Sequence, residues 1–314
     1  YDAFWSQLWI AGREALFILD SGWDEELAAQ AWTWVKAQLA ERHLEPQRVY
    51  LLNSHPDWDH AWANRAFKLY SPWAERLQVG ASPSTREYLL SPRAKLELAQ
   101  RRGADPLYFK NSHIYVPEYS WEAGQGWDLG GVSLELVALP GHYAGQLGIY
   151  IPQSQALGAA DGVEDPLPFL ESPAAWAQQL ATLKVWQGRN LRSLYPAHAQ
   201  SWSLGPFDPQ AGGVRLLAAN LRYFEYLENY WLAGAGGRRG AEWSGSKLRF
   251  LESDEAWERE RQGEEAKALE AWEASWGLNW ERVGESLGLD LSAPFYQRAH
   301  HLAVQGSWRR RRGI

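Results

Sequence analysis

The chain has no cysteine, no methionine and no apolar stretch long enough to cross a bilayer, and each absence removes a class of chemistry. Without cysteine there is no disulfide, no thiolate nucleophile and no sulfur ligand, so a metal would have to rest on histidine and carboxylate. Without a run of about 20 apolar residues, an integral membrane protein is not expected. Zero methionine in 314 residues suits a heat-adapted source poor in thermolabile residues. Methionines missing from the chain as written, with some spacings compressed, would account for it equally. A surplus of positive charge is also lacking: the formal net charge is -7, which argues against a nucleic-acid partner. The chain starts at Tyr1 with no initiator methionine, so a preceding signal stays open, and a cytoplasmic location is the default expectation.

What is present is an ordinary globular composition, 46% hydrophobic and 22% charged, with twenty tryptophans that read mostly as core and interface filler. Its densest chemistry lies in Leu51–Asn64, LLNSHPDWDHAWAN. Here His55, Asp57, Asp59 and His60 follow directly on the apolar run Val49–Leu52. Imidazoles and carboxylates packed this closely, where a strand gives way to a loop, form a chelating surface. A single His-x-Asp would be an ordinary loop feature, so the reading depends on further ligands downstream.

The pattern along the chain supplies them. Alternation and turn residues predict strands at Ser6–Ile10, Ala15–Leu19, Val49–Leu52, Gln78–Gly80, Val132–Leu136, Leu147–Ile151, Ala156–Ala160 and Leu191–Tyr195. A helix capped by Asp24 should run to about His43 with Leu27, Ala31, Trp34 and Val35 on one face. Ser84–Arg102 reads as helical with a break at Ser91-Pro92, and 105–119 as a loop or edge strand over a pocket. Further helices are expected at Pro173–Gln187, Val214–Trp231, Glu255–Trp276 and Pro294–Trp308, with a Gly-rich linker at Ala233–Ser246. His55, His142, Asp161 and His198 each stand just beyond a predicted strand end. Strands converging at one sheet edge would gather all four.

Five ordered motifs carry a resemblance: Leu19-Asp20-Ser21-Gly22, His55-Pro-Asp57-Trp-Asp59-His60, Pro140-Gly141-His142, Gly158-Ala-Ala-Asp161 and Pro196-Ala197-His198. Over about residues 5 to 230 the chain resembles the metallo-β-lactamase superfamily of hydrolases. The resemblance implies an α+β fold, a four-layer αβ/βα sandwich in residues 1–232; beyond its reach, the residue pattern itself makes 233–314 a Gly-rich linker and helical C-terminal extension. It also implies two divalent metal ions, the first held by His55, His142 and Asp57, the second by Asp59, His60 and His198, with Asp161 bridging. Asp20 would orient a ligand from behind, its plain alternative being a strand-end turn residue. A hydroxide shared by the ions would attack an ester-like (carboxylic ester, lactone, thioester) or phosphoester bond, and Asp59 would carry the proton to the leaving group.

Asp57 departs from the usual first motif, His-x-His-x-Asp-His, by standing where its second histidine would be. With Asp57, Asp59, Asp161 and a hydroxide, four negative charges balance two divalent cations, leaving the site formally neutral. Zinc is the first expectation, and the harder donor set moves preference toward iron or manganese. A carboxylate here is shared with the redox-active flavodiiron branch, so a diiron redox enzyme is the alternative. A weak metal-binding module without catalysis is the third. Trp58, Trp62, Tyr143 and Tyr195 are candidates for a pocket wall around a small-molecule substrate. His43, His113, His300 and His301 read as helix-end, structural or packing residues. Trp257, Trp272 and Trp276 would suit homo-oligomerisation through the C-terminal helices, and Arg309–Arg312 reads as a solvated tail.

Overall fold

A computed structural model describes residues 5–164, 167–170, 173–198, 210, 213–232, 278–287, 297, 299–304 and 307. Its frame is two five-stranded sheets. The first orders β1 (Leu8–Ala11), β2 (Ala15–Leu19), β3 (Arg48–Asn53), β4 (Leu77–Ala81) and β5 (Tyr119–Ser120) side by side. β1 is antiparallel to β2, and the other pairs are parallel. The second sheet orders β10 (Ser193–Pro196), β9 (Ala156–Ala160), β8 (Leu147–Ile151), β7 (Ser133–Ala138) and β6 (Gly126–Asp128). It is antiparallel throughout except between β9 and β10.

Strand periodicity sorts the side chains into layers. Ala15, Phe17, Leu19, Tyr50 and Leu52 point into the sandwich and meet Leu134, Leu136, Leu147 and Ile149. The alternate residues Leu16, Ile18, Val49, Leu51 and Val79 point outward onto α1 (Glu25–Glu41) and α3 (Asn64–Tyr70), which follows the single turn α2 (Trp58–Ala61). On the far side, Leu157, Ala159 and Leu194 pack against α6 (Trp176–Gln187) and α7 (Val214–Leu232). β2 is therefore buried on both faces, which is why Ala15–Leu19 is unbroken apolar sequence rather than an alternating one. The result is the four-layer αβ/βα sandwich that the motifs imply.

Ser91 closes α4 (Pro83–Leu90) and caps α5 (Pro92–Ala104), its hydroxyl accepting from Ala94 N–H. The break expected at Ser91-Pro92 is thus a junction between two helices. Asp24 caps α1 as expected, but the buried stripe of that helix is Ala28, Trp32, Val35 and Leu39. Trp34, expected inside, is 62% exposed. Helical spacing alone allowed both stripes; the aromatic partners decide. Trp32 lies against Trp9, Phe67 and Trp73, and its indole N–H donates to the Phe67 carbonyl.

α8 (Trp280–Leu287) and the short β6 were not anticipated. Leu278, Val283, Ala299, Leu302, Ala303 and Val304 join the core of α6 and α7. His300 is buried there, with Nδ1 2.8 Å from the Tyr223 hydroxyl and Nε2 2.6 Å from the Leu278 carbonyl. The expected linker at Ala233–Ser246, the helix at Glu255–Trp276 with Trp257, Trp272 and Trp276, and the Arg309–Arg312 tail lie outside the described residues. Among the described residues, no helix is long and apolar enough to cross a membrane.

Truncating Trp32 to Ala should cost about 3–5 kcal/mol of unfolding free energy, whereas Trp34→Ala should stay within about 0.5 kcal/mol. Urea denaturation reads both, and equal costs would mean that the wrong face of α1 has been placed inward.

Candidate metal centre

Chain direction brings the candidate ligands to one place. β2 and β3 are parallel, so Asp20 and His55 leave the first sheet at the same edge. β7 and β9 both run against β8, and β10 runs with β9, so His142, Asp161 and His198 follow strand ends at a common edge of the second sheet. The backbone bends sharply there: Asp20 and Ala160 adopt φ of 66° and 46°, a left-handed conformation that an Asp tolerates better than most side chains. Gly141, before His142, has φ 154°, and any side chain on it would run into Gln179.

The loop carrying His55 to His60 is strapped at its base. Asn53 and Asn64 exchange side-chain amide hydrogen bonds of 2.9 and 2.7 Å, and Asn53 Nδ2 also donates to the His60 carbonyl at 3.0 Å. That carbonyl accepts from Ser21 N–H as well. A buried, reciprocally satisfied amide pair of this kind fixes geometry as well as satisfying polar groups.

Within this frame the seven expected residues form two groups around a shared carboxylate. Asp57 Oδ2 is 3.6 Å from His55 Nε2 and 3.3 Å from His142 Nε2. Asp59 Oδ1 is 3.7 Å from His60 Nε2, and its Oδ2 is 3.3 Å from His198 Nε2. Between the groups, Asp161 Oδ2 lies 3.7, 3.2, 3.9 and 3.5 Å from Nε2 of His55, His60, His142 and His198. Asp57 is the open flank, its side chain 46% exposed against 6% for Asp161.

The outward nitrogens are held. Ser54 Oγ gives its one hydrogen to Asp20 Oδ2, so it accepts from His55 Nδ1, 2.9 Å away. Asp20 Oδ2 accepts from His60 Nδ1 at 2.8 Å, and the Phe169 carbonyl accepts from His142 Nδ1 at 2.6 Å. A neutral ring in each of these settings carries its proton on Nδ1 and aims the Nε2 lone pair inward. Asp20 thus orients one imidazole of each group.

The inner atoms fit a cation. Nε2 of His55, Nε2 of His60 and Oδ1 of Asp161 are buried with no hydrogen-bond partner, an arrangement that native interiors rarely leave without a purpose. Charge points the same way. Burial would lower the histidine pKa values, but Asp57 and Asp161 push His142 up to about 10, and Asp161 and Asp59 push His198 up to about 9. His60 is likewise held well above its usual value against burial by Asp161, Asp59 and Asp20. Burial would raise the carboxyls, yet His55 and His142 hold Asp57 well below the usual range, and His60 and His198 lower Asp59 and Asp161. The carboxylates thus demand positive charge, which protons supply until a cation does.

The remaining candidates are elsewhere. Trp62 is 1% exposed and packs beneath Phe109 and Arg101, so it is core and not pocket wall. Tyr195 lines a groove of about 490 Å³ between β1 and β10 that none of the seven residues borders. Trp58 is partly exposed on an aromatic cluster with Trp23, Tyr108 and Phe109, and the Tyr143 ring is 6.4 Å from that of His55. His113 meets Arg65, and His43 sits exposed past the end of α1. Three residues were not foreseen: Ser54, Asn53 as the strap, and Glu164. Glu164 is buried 3.8 Å from His142 Nδ1, its carboxyl pushed up by burial and by Asp161. Its only sequence signal is an acid following Asp161 by three positions, directly before Asp165.

The family description that matches residues 6–209, about two thirds of the chain, is the metallo-beta-lactamase superfamily. The chain belongs to that superfamily. A metallo-beta-lactamase family protein from Thermus thermophilus shares the fold, with a TM-score of 0.58 and 14% identity over 98% of this chain and 88% of its own. A metallo-beta-lactamase from Pontibacter korlensis aligns with 18% identity and a TM-score of 0.45, covering 68% of this chain and 86% of its own. No curated protein sequence matches the chain.

For a superfamily member with these imidazole pKa values, metal uptake at pH 7 must expel protons, and affinity should climb with pH until His198 and His142 are neutral, at about 9 and about 10. Calorimetry of Zn²⁺ binding in buffers of different ionisation heat counts those protons. Uptake without proton release would contradict the charge balance described above.

Proposed function

We propose that this chain is a dinuclear metal-dependent hydrolase acting on an ester-like (carboxylic ester, lactone, thioester) or phosphoester bond of a small molecule. The observation that carries the reading is the pair of donor groups, His55–Asp57–His142 and Asp59–His60–His198, sharing Asp161. When bound, two divalent ions would supply Lewis acidity toward a carbonyl or phosphoryl oxygen and a hydroxide at neutral pH. The chain's own residues do the rest. Asp161 keeps the two groups at a fixed separation, and Asp20 holds an imidazole of each. Asp59 lies beside the more exposed His198, whose side chain is 24% accessible, and is the carboxylate placed to pass a proton to a leaving group.

A second reading has its own support. Because Asp57 replaces an imidazole, each group offers two histidines, one carboxylate and the shared Asp161. Matched, carboxylate-rich sets favour a pair of like, harder ions such as iron or manganese, and with them a redox enzyme.

Assay of the Zn²⁺- or Mn²⁺-loaded protein against aryl esters, lactones, thioesters and phosphodiesters should find hydrolysis. His198→Ala or Asp161→Ala should lower it by more than about 100-fold, and His113→Ala should leave it unchanged. Oxygen turnover by the iron form without hydrolysis would replace this reading with the redox one. Asp57→His should raise the share of zinc taken up from mixed Zn²⁺, Fe²⁺ and Mn²⁺. Unchanged metal content and activity in that variant would mean that Asp57 is not a ligand.

A further inference from the structure

We propose that Glu164 is a positioning residue for His142, clamped in turn by Asn220 of α7. This rests on the dinuclear reading and adds an arm to it. The Glu164 carboxyl group is buried and accepts the Phe169 N–H at 2.9 Å. The carbonyl of the same Phe169 accepts from His142 Nδ1 at 2.6 Å, so the residue that steers the imidazole is itself held by Glu164. Glu164 is fixed from the other side. Its N–H donates to Asn220 Oδ1 at 3.1 Å, and Asn220 Nδ2 donates to its carbonyl at 2.7 Å. Asn220 is fully buried, one turn before Tyr223, which meets His300. The line therefore runs from the α7 core through Asn220, Glu164 and Phe169 to His142.

The staple needs one buried acceptor for the Phe169 N–H, which an amide side chain at this position would also supply. Its Oε1 lies 3.8 Å from His142 Nδ1, so the staple stands directly against the ring it steers. The two sheets then hold their imidazoles by separate devices. Asp20 serves His55 and His60, one in each donor group, whereas the hydrogen bonds from the Glu164 side chain lead, among the described residues, through Phe169 to His142. Loss of Asp20 should weaken both metal positions, and loss of Glu164 only one.

Stepwise titration of the metal-free full chain with Co²⁺, followed by visible absorption and calorimetry, tests this. The wild type should take up two ions. Glu164→Ala and Asn220→Ala should each weaken one ion by about 10–100-fold, with a changed absorption band for that ion, and leave the other as it was. Glu164→Gln, which keeps an acceptor for the Phe169 N–H, should recover most of the lost affinity, and Asp20→Asn should weaken both ions. Equal weakening of both ions in Glu164→Ala, no weakening, or a Gln variant as impaired as Ala would overturn the proposal. A wild type binding fewer than two ions would remove the dinuclear reading and this proposal together, whereas two ions with no selective loss would remove this proposal alone.

Discussion

A single carboxylate oxygen, Oδ2 of Asp161, sits within 4 Å of the inner nitrogen of four buried or half-buried imidazoles. Everything else at this edge is arranged so that this concentration of donors can exist. Three carboxylates and four histidines facing one another are tolerable only if positive charge stands between them, whether as protons on the rings or as a bound cation. The raised histidine and lowered aspartate pKa values express the first state, and the orphaned Nε2 and Oδ1 atoms suit the second. Asp161 could not hold this position from a flexible loop. It follows β9 directly, after a left-handed Ala160 whose carbonyl accepts from Ala197 N–H, next to His198.

The sandwich acts as a jig for these atoms. The sheet cores fix where strands end, and the sharp turns at Asp20, Gly141 and Ala160 convert those ends into directions. Asn53 and Asn64 stop the His55–His60 loop from opening, and Asp20 reaches both His60 and, through Ser54, His55. Outer partners of this kind decide which ring nitrogen is free, and so whether a histidine is a ligand or only a neighbour.

Much of this was legible in the sequence, for physical reasons that can be named. Strand ends and the residues beyond them are local features, and parallel strand direction turns a list of strand-end residues into one site; His55, His142, Asp161 and His198 were found that way. The face of α1 was misread because Trp34 and Trp32 are equally apolar, and only Trp9, Phe67 and Trp73, distant in sequence, select Trp32. Trp62 lies in the core and Tyr195 on a groove that the seven residues do not border, because nearness in sequence to a ligand says nothing about which side of a turn a ring occupies. Glu164 and Asn220 were illegible for a related reason: their roles lie in hydrogen bonds to backbone 5 and 56 residues away, which no local pattern encodes. Asp57 was visible from the start as the departure from the usual motif, and the structure turns it inward to His55 and His142.

The most direct test of the central claim is anomalous diffraction from crystals grown with Zn²⁺ or Mn²⁺ and recorded on either side of the metal's absorption edge. Two peaks about 3.5–4 Å apart are predicted, one among His55, Asp57 and His142, the other among Asp59, His60 and His198, with Asp161 between them. A single peak, or metal bound elsewhere with these residues paired only to one another, would contradict the dinuclear centre.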